Sequence, residues 1–244
     1  MDPLSGRVAL VTGSSSGIGA AVAKALATSG ATVVVNSASS VTAGEQIAAA
    51  LPGASYVQAD IADPEQVDRM VTTVVERHGG LDILVNNAGV TEVIAHDDLA
   101  AVTEEVWARI LGVNLVGTWN VTRAAVPHLR ASGDGVVVNI TSLAGVRPVG
   151  SSIPYAVSKA ALNHLTRLLA NTLGPQIRVN AVAPGLIDTP WTADWDLIRE
   201  VVRGSAPLQR SGRPEDVAEA CLGLVNARYA TGQILVVDGG MALR

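Results

Sequence analysis

Tyr155 and Lys159 stand four residues apart in Ser151-Ser-Ile-Pro-Tyr-Ala-Val-Ser-Lys-Ala160, and Lys159 is one of only two lysines in the chain, the other being Lys24. Residues at i and i+4 share a helix face, so an ammonium here can lie beside a phenol and favour its ionised form. Arginine could not take this place freely, because a planar guanidinium differs in reach and donor geometry from a compact ammonium. A free phenol titrates at ~10, so poising it as a proton donor and acceptor at neutral pH takes about 4 kcal/mol of differential stabilisation. The spacing alone also fits a solvated helix carrying a stray pair. The surrounding sequence decides between the two.

The elements that must position this pair alternate in type. Short runs rich in Val and Ile read as strands at Val8–Val11, Thr32–Val35, Ser55–Gln58, Ile83–Asn86, Val136–Ile140, Arg178–Val182 and Ile234–Val237. Ala-rich amphipathic segments between them read as helices at Gly17–Ser29, Ala43–Leu51, Pro64–His78, Glu104–Arg130, Pro154–Leu173 and Pro214–Asn226. Near-continuous apolar strands are expected when both faces are covered, which predicts an α/β fold with a doubly wound, seven-stranded parallel sheet and a ligand at the strands' carboxyl ends. No linker divides residues 1–244, so a single domain is expected.

Directly after the first strand comes Thr12-Gly-Ser-Ser-Ser-Gly-Ile-Gly19, which opens a helix. Gly13 permits a tight turn, Gly17 lets backbone approach a pyrophosphate, and Gly19 allows close helix packing. A glycine-rich surface turn is the alternative, weakened by its place between strand and helix. Composition narrows the partners. A net charge of −5 gives no footprint for nucleic acid, no apolar run approaches a membrane span, and the start lacks a signal-like region, so a cytoplasmic protein with a small-molecule ligand is expected. The lone Cys221 and four scattered histidines offer no metal site.

Taken together, the Thr-Gly-xxx-Gly-Ile-Gly turn, Asn86-Asn-Ala-Gly89, Ser142 after the fifth strand, and Tyr155-xxx-Lys159 resemble the short-chain dehydrogenase/reductase family, in its 3-oxoacyl-reductase or ketoreductase branch. Asn114, Asn180-Ala-Val-Ala-Pro-Gly185 and Gly232-Gln-Ile-Leu-Val-Val-Asp-Gly-Gly240 extend the likeness over nearly the whole chain in the family's order. The resemblance implies a Rossmann-type fold and hydride transfer between a nicotinamide and a ketone or secondary alcohol. Tyr155 would be the general acid or base, assisted by Lys159 and the nicotinamide cation, with Ser142 orienting the carbonyl and Asn114 holding a water in a proton relay. It further implies cofactor contacts from Gly13, Ser15, Ser16, Gly17, Ile18 and Gly19. Others follow from Asn36, Ser37 and Ser39, from Asp60 and Ile61, from Asn87, Ala88 and Gly89, from Tyr155 and Lys159, and from Pro184, Gly185, Ile187 and Thr189.

Cofactor choice turns on Asn36-Ser-Ala-Ser-Ser40. A carboxylate there would hydrogen-bond a ribose 2′-hydroxyl and repel a 2′-phosphate, and its absence favours NADP(H), while Ser14-Ser-Ser16, lacking Arg or Lys, keeps NAD(H) open. Loops after Gly89, Ser142 and Gly185 should close an apolar substrate pocket with Val93, Ile94, Leu143, Val146, Ile153, Leu186, Trp191 and Trp195. Trp191 and Trp195, four apart on a short helix, could instead only pack that helix. A 3-oxoacyl-thioester reductase is the alternative, less favoured because Asn171-Thr-Leu-Gly-Pro-Gln176 carries no basic docking face; a non-catalytic nucleotide sensor is remote. Relatives imply a homotetramer in which the Glu104–Arg130 and Tyr155 helices pair across a two-fold axis, with Val106, Ile110, Val113, Val121, Leu162, Leu165 and Leu169 as the apolar surfaces.

Overall fold

Strand runs such as Val8-Ala-Leu-Val11 have no polar face, and all four of these residues are buried. The computed structural model describes residues 2–243. The chain runs β1 (Val8–Val11), α1 (Gly17–Thr28), β2 (Thr32–Ser37), α2 (Val41–Ala49), β3 (Ser55–Gln58), α3 (Pro64–His78), β4 (Ile83–Asn86), α4 (Glu104–Leu111), α5 (Thr118–Ala131), β5 (Gly135–Ile140), α6 (Ile153–Leu173), β6 (Ile177–Pro184), α7 (Asp196–Ser205), α8 (Pro214–Asn226) and β7 (Ile234–Val237). The strands form one parallel sheet in the order β3-β2-β1-β4-β5-β6-β7. One core joins Val11, Val35 and Val85 to α1 and α8, where Cys221 is a buried packing residue whose thiol is pushed up to about 12 by burial. The other joins Leu10, Val34 and Val137 to α3, α5 and α6. Growth of the sheet reverses between β1 and β4, which opens a crevice at their carboxyl ends.

Local chemistry starts several helices. Asp63 accepts hydrogen bonds from Glu65 N and Gln66 N to open α3, and Thr103 accepts from Val106 N to open α4. Before α6, Ser152 accepts from Tyr155 N and Pro154 pre-sets the first turn.

The helix expected over Glu104–Arg130 forms without a gap but is not uniform: α4 ends at Leu111, a π-helical stretch spans Gly112–Gly117, and α5 continues from Thr118. A Cβ on Gly117 would stand 2.8 Å from Ile61 Cγ1, so the π-helical segment runs against the loop after β3 where only glycine fits. Residues 196–205, to which the sequence assigns no element, form α7, whose first turn is tied down by Arg199 bonding Asp188, Asp196 and the Ala193 carbonyl. Finally, Val106, Ile110, Val121, Leu162 and Leu169 are buried inside this chain and cannot be its outward surfaces, with Val113 and Leu165 only partly covered. The apolar side chains that α5, α6 and the π-helical stretch do expose are Val116, Trp119, Val157 and Leu168.

A Cβ on Gly19 would lie 2.4 Å from Gly13 O and 2.5 Å from Asn87 Nδ2, so α1 can start this close to the β4 turn only with glycine there. Gly19→Ala is therefore expected to cost about 1–3 kcal/mol, a drop of several degrees in thermal midpoint that calorimetry would read. An unchanged midpoint would show that the turn relaxes freely.

Candidate active site

At the carboxyl end of β5 the chain leaves Ile140 and turns at Ser142, whose hydroxyl accepts from Ala144 N at 3.1 Å. Opposite it, the first turn of α6 presents Tyr155, with the Ser142 hydroxyl near enough to favour the ionised phenol. One turn on, Lys159 is 4% exposed, donates from Nζ to Ile140 O at 3.0 Å, and stands 5.7 Å from the Tyr155 ring centroid. Burial pulls this ammonium down to about 8. Burial also pushes the phenol above its ordinary value of 10, with the Ser142 hydroxyl offsetting part of the rise. The lowering of Tyr155 expected from the lysine is thus not a property of the protein framework alone, because Nζ is aimed at a carbonyl rather than at the phenol oxygen.

Tyr155 and Lys159 open into a cavity of about 1070 Å³ that runs from the β1–α1 turn to α7. Two turns meet at its floor. Thr12 Oγ1 accepts from Asn87 N and Ala88 N at 3.0 and 3.1 Å, while Asn87 Nδ2 donates to Thr12 O and Gly13 O at 3.0 and 2.8 Å. A Cβ on Gly13, at φ +61°, would fall 2.7 Å from Ala88 Cα. Unlike α3, α4 and α6, α1 has no side chain closing its N-terminus, and its first turn carries no acidic residue. Open amides at a helix start, in a cavity this size, fit the pyrophosphate of a dinucleotide.

Of the expected cofactor contacts, Gly13, Ser16, Ile18, Gly19, Asn36, Ser37, Asp60, Ile61, Asn87, Ala88, Gly89, Pro184, Gly185, Ile187 and Thr189 line this cavity together with Ser142, Tyr155 and Lys159; Ser15, Gly17 and Ser39 do not. Asn114 lies behind the wall. Its Oδ1 accepts from Val90 N at 2.8 Å and its Nδ2 donates to Val90 O and Ser158 Oγ, both at 3.0 Å. A Cβ on Gly89 would sit 3.2 Å from Asn114 Oδ1 and 3.6 Å from Lys159 Nζ, so glycine keeps open the gap between those groups.

At the apolar end, Val93, Ile94, Leu143, Leu186, Trp191 and Trp195 line the cavity, and Trp191 meets Tyr155 edge-on with ring centroids 6.4 Å apart. Val146 and Ile153 do not. Val146 turns instead towards a separate hollow beside Gly145, Asn163 and Ile234, and Ile153 opens α6 outside the lining. Trp191 lies in a single turn, Pro190–Thr192, and Trp195 caps α7, so they do not share one helix. The lining also includes Thr91, His96, Arg147, Val149, Ser151 and Met241, which sequence reasoning missed. They come from loops and the C-terminal turn, where no periodicity signals direction. Among the described residues no cluster of His, Cys, Asp and Glu could hold a metal, and no helix is long and apolar enough to cross a membrane.

Residues 13–242 match a family model described as Enoyl-(Acyl carrier protein) reductase, and the glycine turn, Ser142, Tyr155 and Lys159 stand at one cavity. The chain belongs to the short-chain dehydrogenase/reductase family. Among curated members it is 63% identical to the "Granaticin polyketide synthase putative ketoacyl reductase 2" of Streptomyces violaceoruber, covering 97% of this chain and 96% of that one. It is 39% identical to the 3-oxoacyl-[acyl-carrier-protein] reductase FabG of Thermotoga maritima over 98% and 99% of the two chains. A crystal structure described as a "putative short-chain dehydrogenase/reductase from Burkholderia xenovorans" superposes with a TM-score of 0.91 at 37% identity, covering 98% of each chain. The protein is accordingly an oxidoreductase of carbonyl and hydroxyl groups that uses a nicotinamide cofactor.

In this dehydrogenase/reductase, Asn36 reaches the cavity wall with its side chain already committed. Oδ1 accepts from Gly13 N at 3.3 Å, and Nδ2 donates to Val57 O and Ala59 O, both at 3.1 Å. Ser37, the next residue of β2, bonds Tyr56 OH at 2.8 Å. Asn36→Asp would aim a carboxylate at two carbonyl oxygens. The expected result is a loss of about 1–3 kcal/mol in stability with no switch in cofactor preference; a stable variant that turns to NAD(H) would contradict this placement.

Proposed function

We propose that the protein reduces a ketone on an apolar acyl or polyketide-like substrate with NADPH, Tyr155 giving the proton. The observation that carries this reading is that the phenol, with Ser142 against it and Lys159 fixed one turn below, opens into the apolar end of the cavity. A nicotinamide held by the residues of the cavity floor would supply the hydride. The chain's own residues do the rest. Ser142 orients the carbonyl oxygen, Tyr155 releases its proton to that oxygen as charge develops, and the Lys159 ammonium stabilises the phenolate left behind. Asn114, out of reach of the substrate, acts by holding Val90 and Ser158 beside Lys159.

NADP(H) is favoured because the end of β2 and the residues after it, Asn36 to Ser40, include no carboxylate to repel a 2′-phosphate. Reduction of a 3-oxoacyl thioester on a carrier is the second reading, favoured by the activities named for the Streptomyces and Thermotoga relatives. A homotetramer belongs to the same proposal, with Val116, Trp119, Val157 and Leu168 as the helical surface a second copy would cover. So does a cytoplasmic location.

Oxidation of NADPH and of NADH, each with a panel of bulky ketones and simple 3-oxoacyl thioesters, tests the substrate and cofactor together; turnover on thioesters alone moves the assignment to the second reading. Tyr155→Phe should lower turnover by roughly 10²–10⁴ while cofactor binding persists. Turnover close to wild type would remove the phenol from the mechanism. Since Lys159 is charged below about 8 and neutral above it, the reductive kcat should be flat on the acid side and fall as pH rises through that value. A kcat that rises there would contradict the assignment. Light scattering at micromolar concentration should give a tetrameric mass; a fully active monomer would end the assembly proposal.

A further inference from the structure

Asn139 is the one polar residue in the run Val136-Val-Val-Asn-Ile140, and it is 0% exposed. Burying a carboxamide in a sheet covered on both faces is costly unless its hydrogen bonds are met. Asn86 of β4 lies opposite it in the parallel register. Asn86 Nδ2 donates to Asn139 Oδ1 at 2.9 Å and to Thr122 Oγ1 on α5 at 3.0 Å. Asn139 Nδ2 donates to Thr166 Oγ1 on α6 at 2.9 Å, and Thr166 in turn donates to Leu162 O at 2.8 Å.

Followed from Thr122, the bonds lead back to α6. Thr122 Oγ1 donates to Thr118 O at 2.8 Å, Thr118 Oγ1 to Asn114 O at 3.0 Å, and Asn114 Nδ2 to Ser158 Oγ, which donates to Tyr155 O at 2.7 Å. The circuit leaves α6 at Thr166, crosses β5, β4 and α5, and returns at Ser158. On β5, neighbouring residues hold two points of α6: Ile140 O accepts from the Lys159 ammonium and Asn139 Nδ2 donates to Thr166 Oγ1. Lys159 and Thr166 are seven residues apart, two turns along one helix face. A helix pinned at both points cannot roll about its axis or slide along the sheet.

Stability alone does not call for this arrangement. Apolar side chains of similar volume would fill the same space without the desolvation cost, and Asn86 Oδ1 is left buried with no partner. We propose that Asn139 and Thr166, backed by Asn86 and Thr122, are positioning residues for carbonyl reduction: they fix the rotation of α6 that turns Tyr155 and Lys159 together towards the substrate carbonyl. This rests on the general-acid reading of Tyr155.

Thr166→Val keeps the shape and removes the hydroxyl, whereas Thr166→Ser keeps the hydroxyl and removes a methyl. Steady-state kinetics should show kcat falling roughly tenfold or more in the valine variant, as misplacement of reacting groups does. KM for the ketone and the cofactor dissociation constant should stay near wild type, and serine should restore kcat. A valine variant with wild-type kcat, or a serine variant as slow as valine, overturns the proposal. If Thr166→Val does not fold, Thr122→Val removes another link of the circuit and is read by the same criteria; failure of both to fold overturns the positioning role in favour of a scaffold role. Tyr155→Phe, assayed alongside, separates the two levels. Retained turnover there refutes the general-acid reading itself, while its loss beside an unaffected valine variant refutes the circuit alone.

Discussion

Holding the Lys159 ammonium out of water, against the Ile140 carbonyl, is the constraint around which the rest of the site is arranged. A buried cation costs free energy unless it is met by acceptors at close range. Bringing α6 near enough to β5 for that contact limits what stands between them. A Cβ on Gly145 would fall 2.6 Å from the main chain of Lys159, so the turn after Ser142 passes α6 only as glycine. On the other side, a Cβ on Gly89 would crowd Asn114 Oδ1 at 3.2 Å.

The nucleotide end of the cavity obeys a parallel constraint. There, backbone rather than a side chain does the work: the turns after β1 and β4 are laced by Thr12 and Asn87, and Gly13 and Gly19 let them touch. The start of α1 is left uncapped, its amides free for an anion. Reversal of the sheet between β1 and β4 sets these two turns side by side, and β5 places Ser142 and the α6 contact one strand further along. Fold and chemistry therefore share one edge of the sheet.

Much of this was legible in the residues. Strands covered on both faces write themselves as unbroken Val and Ile, and α3 and α8 were bounded to the residue by Asp63-Pro64 and Pro214. The glycine turn and the Tyr155-Lys159 spacing named the two ends of the cavity. What escaped was direction rather than identity. The resemblance puts Asn36 at the cofactor, and it does line the cavity, but its amide is also engaged by Gly13, Val57 and Ala59. Val146 follows a turn packed against α6 and lines a separate hollow, and Ile153, the first residue of α6, is not part of the cavity lining. The π-helical stretch at Gly112–Gly117 interrupts a pattern that still looks periodic, and α7 rests on Arg199 contacts across a loop that no local rule encodes.

Burial raises the Tyr155 phenol above its ordinary value, so the proposed proton transfer requires bound cofactor to lower it. The chain has three tyrosines, Tyr56, Tyr155 and Tyr229, so carbon-13 labelling at the phenolic carbon gives a spectrum simple enough to titrate residue by residue. For Tyr155 in the protein without cofactor, a pKa above 10 is predicted, falling when the oxidised cofactor binds. A value near neutrality without cofactor, or one that does not move on binding, would contradict the account.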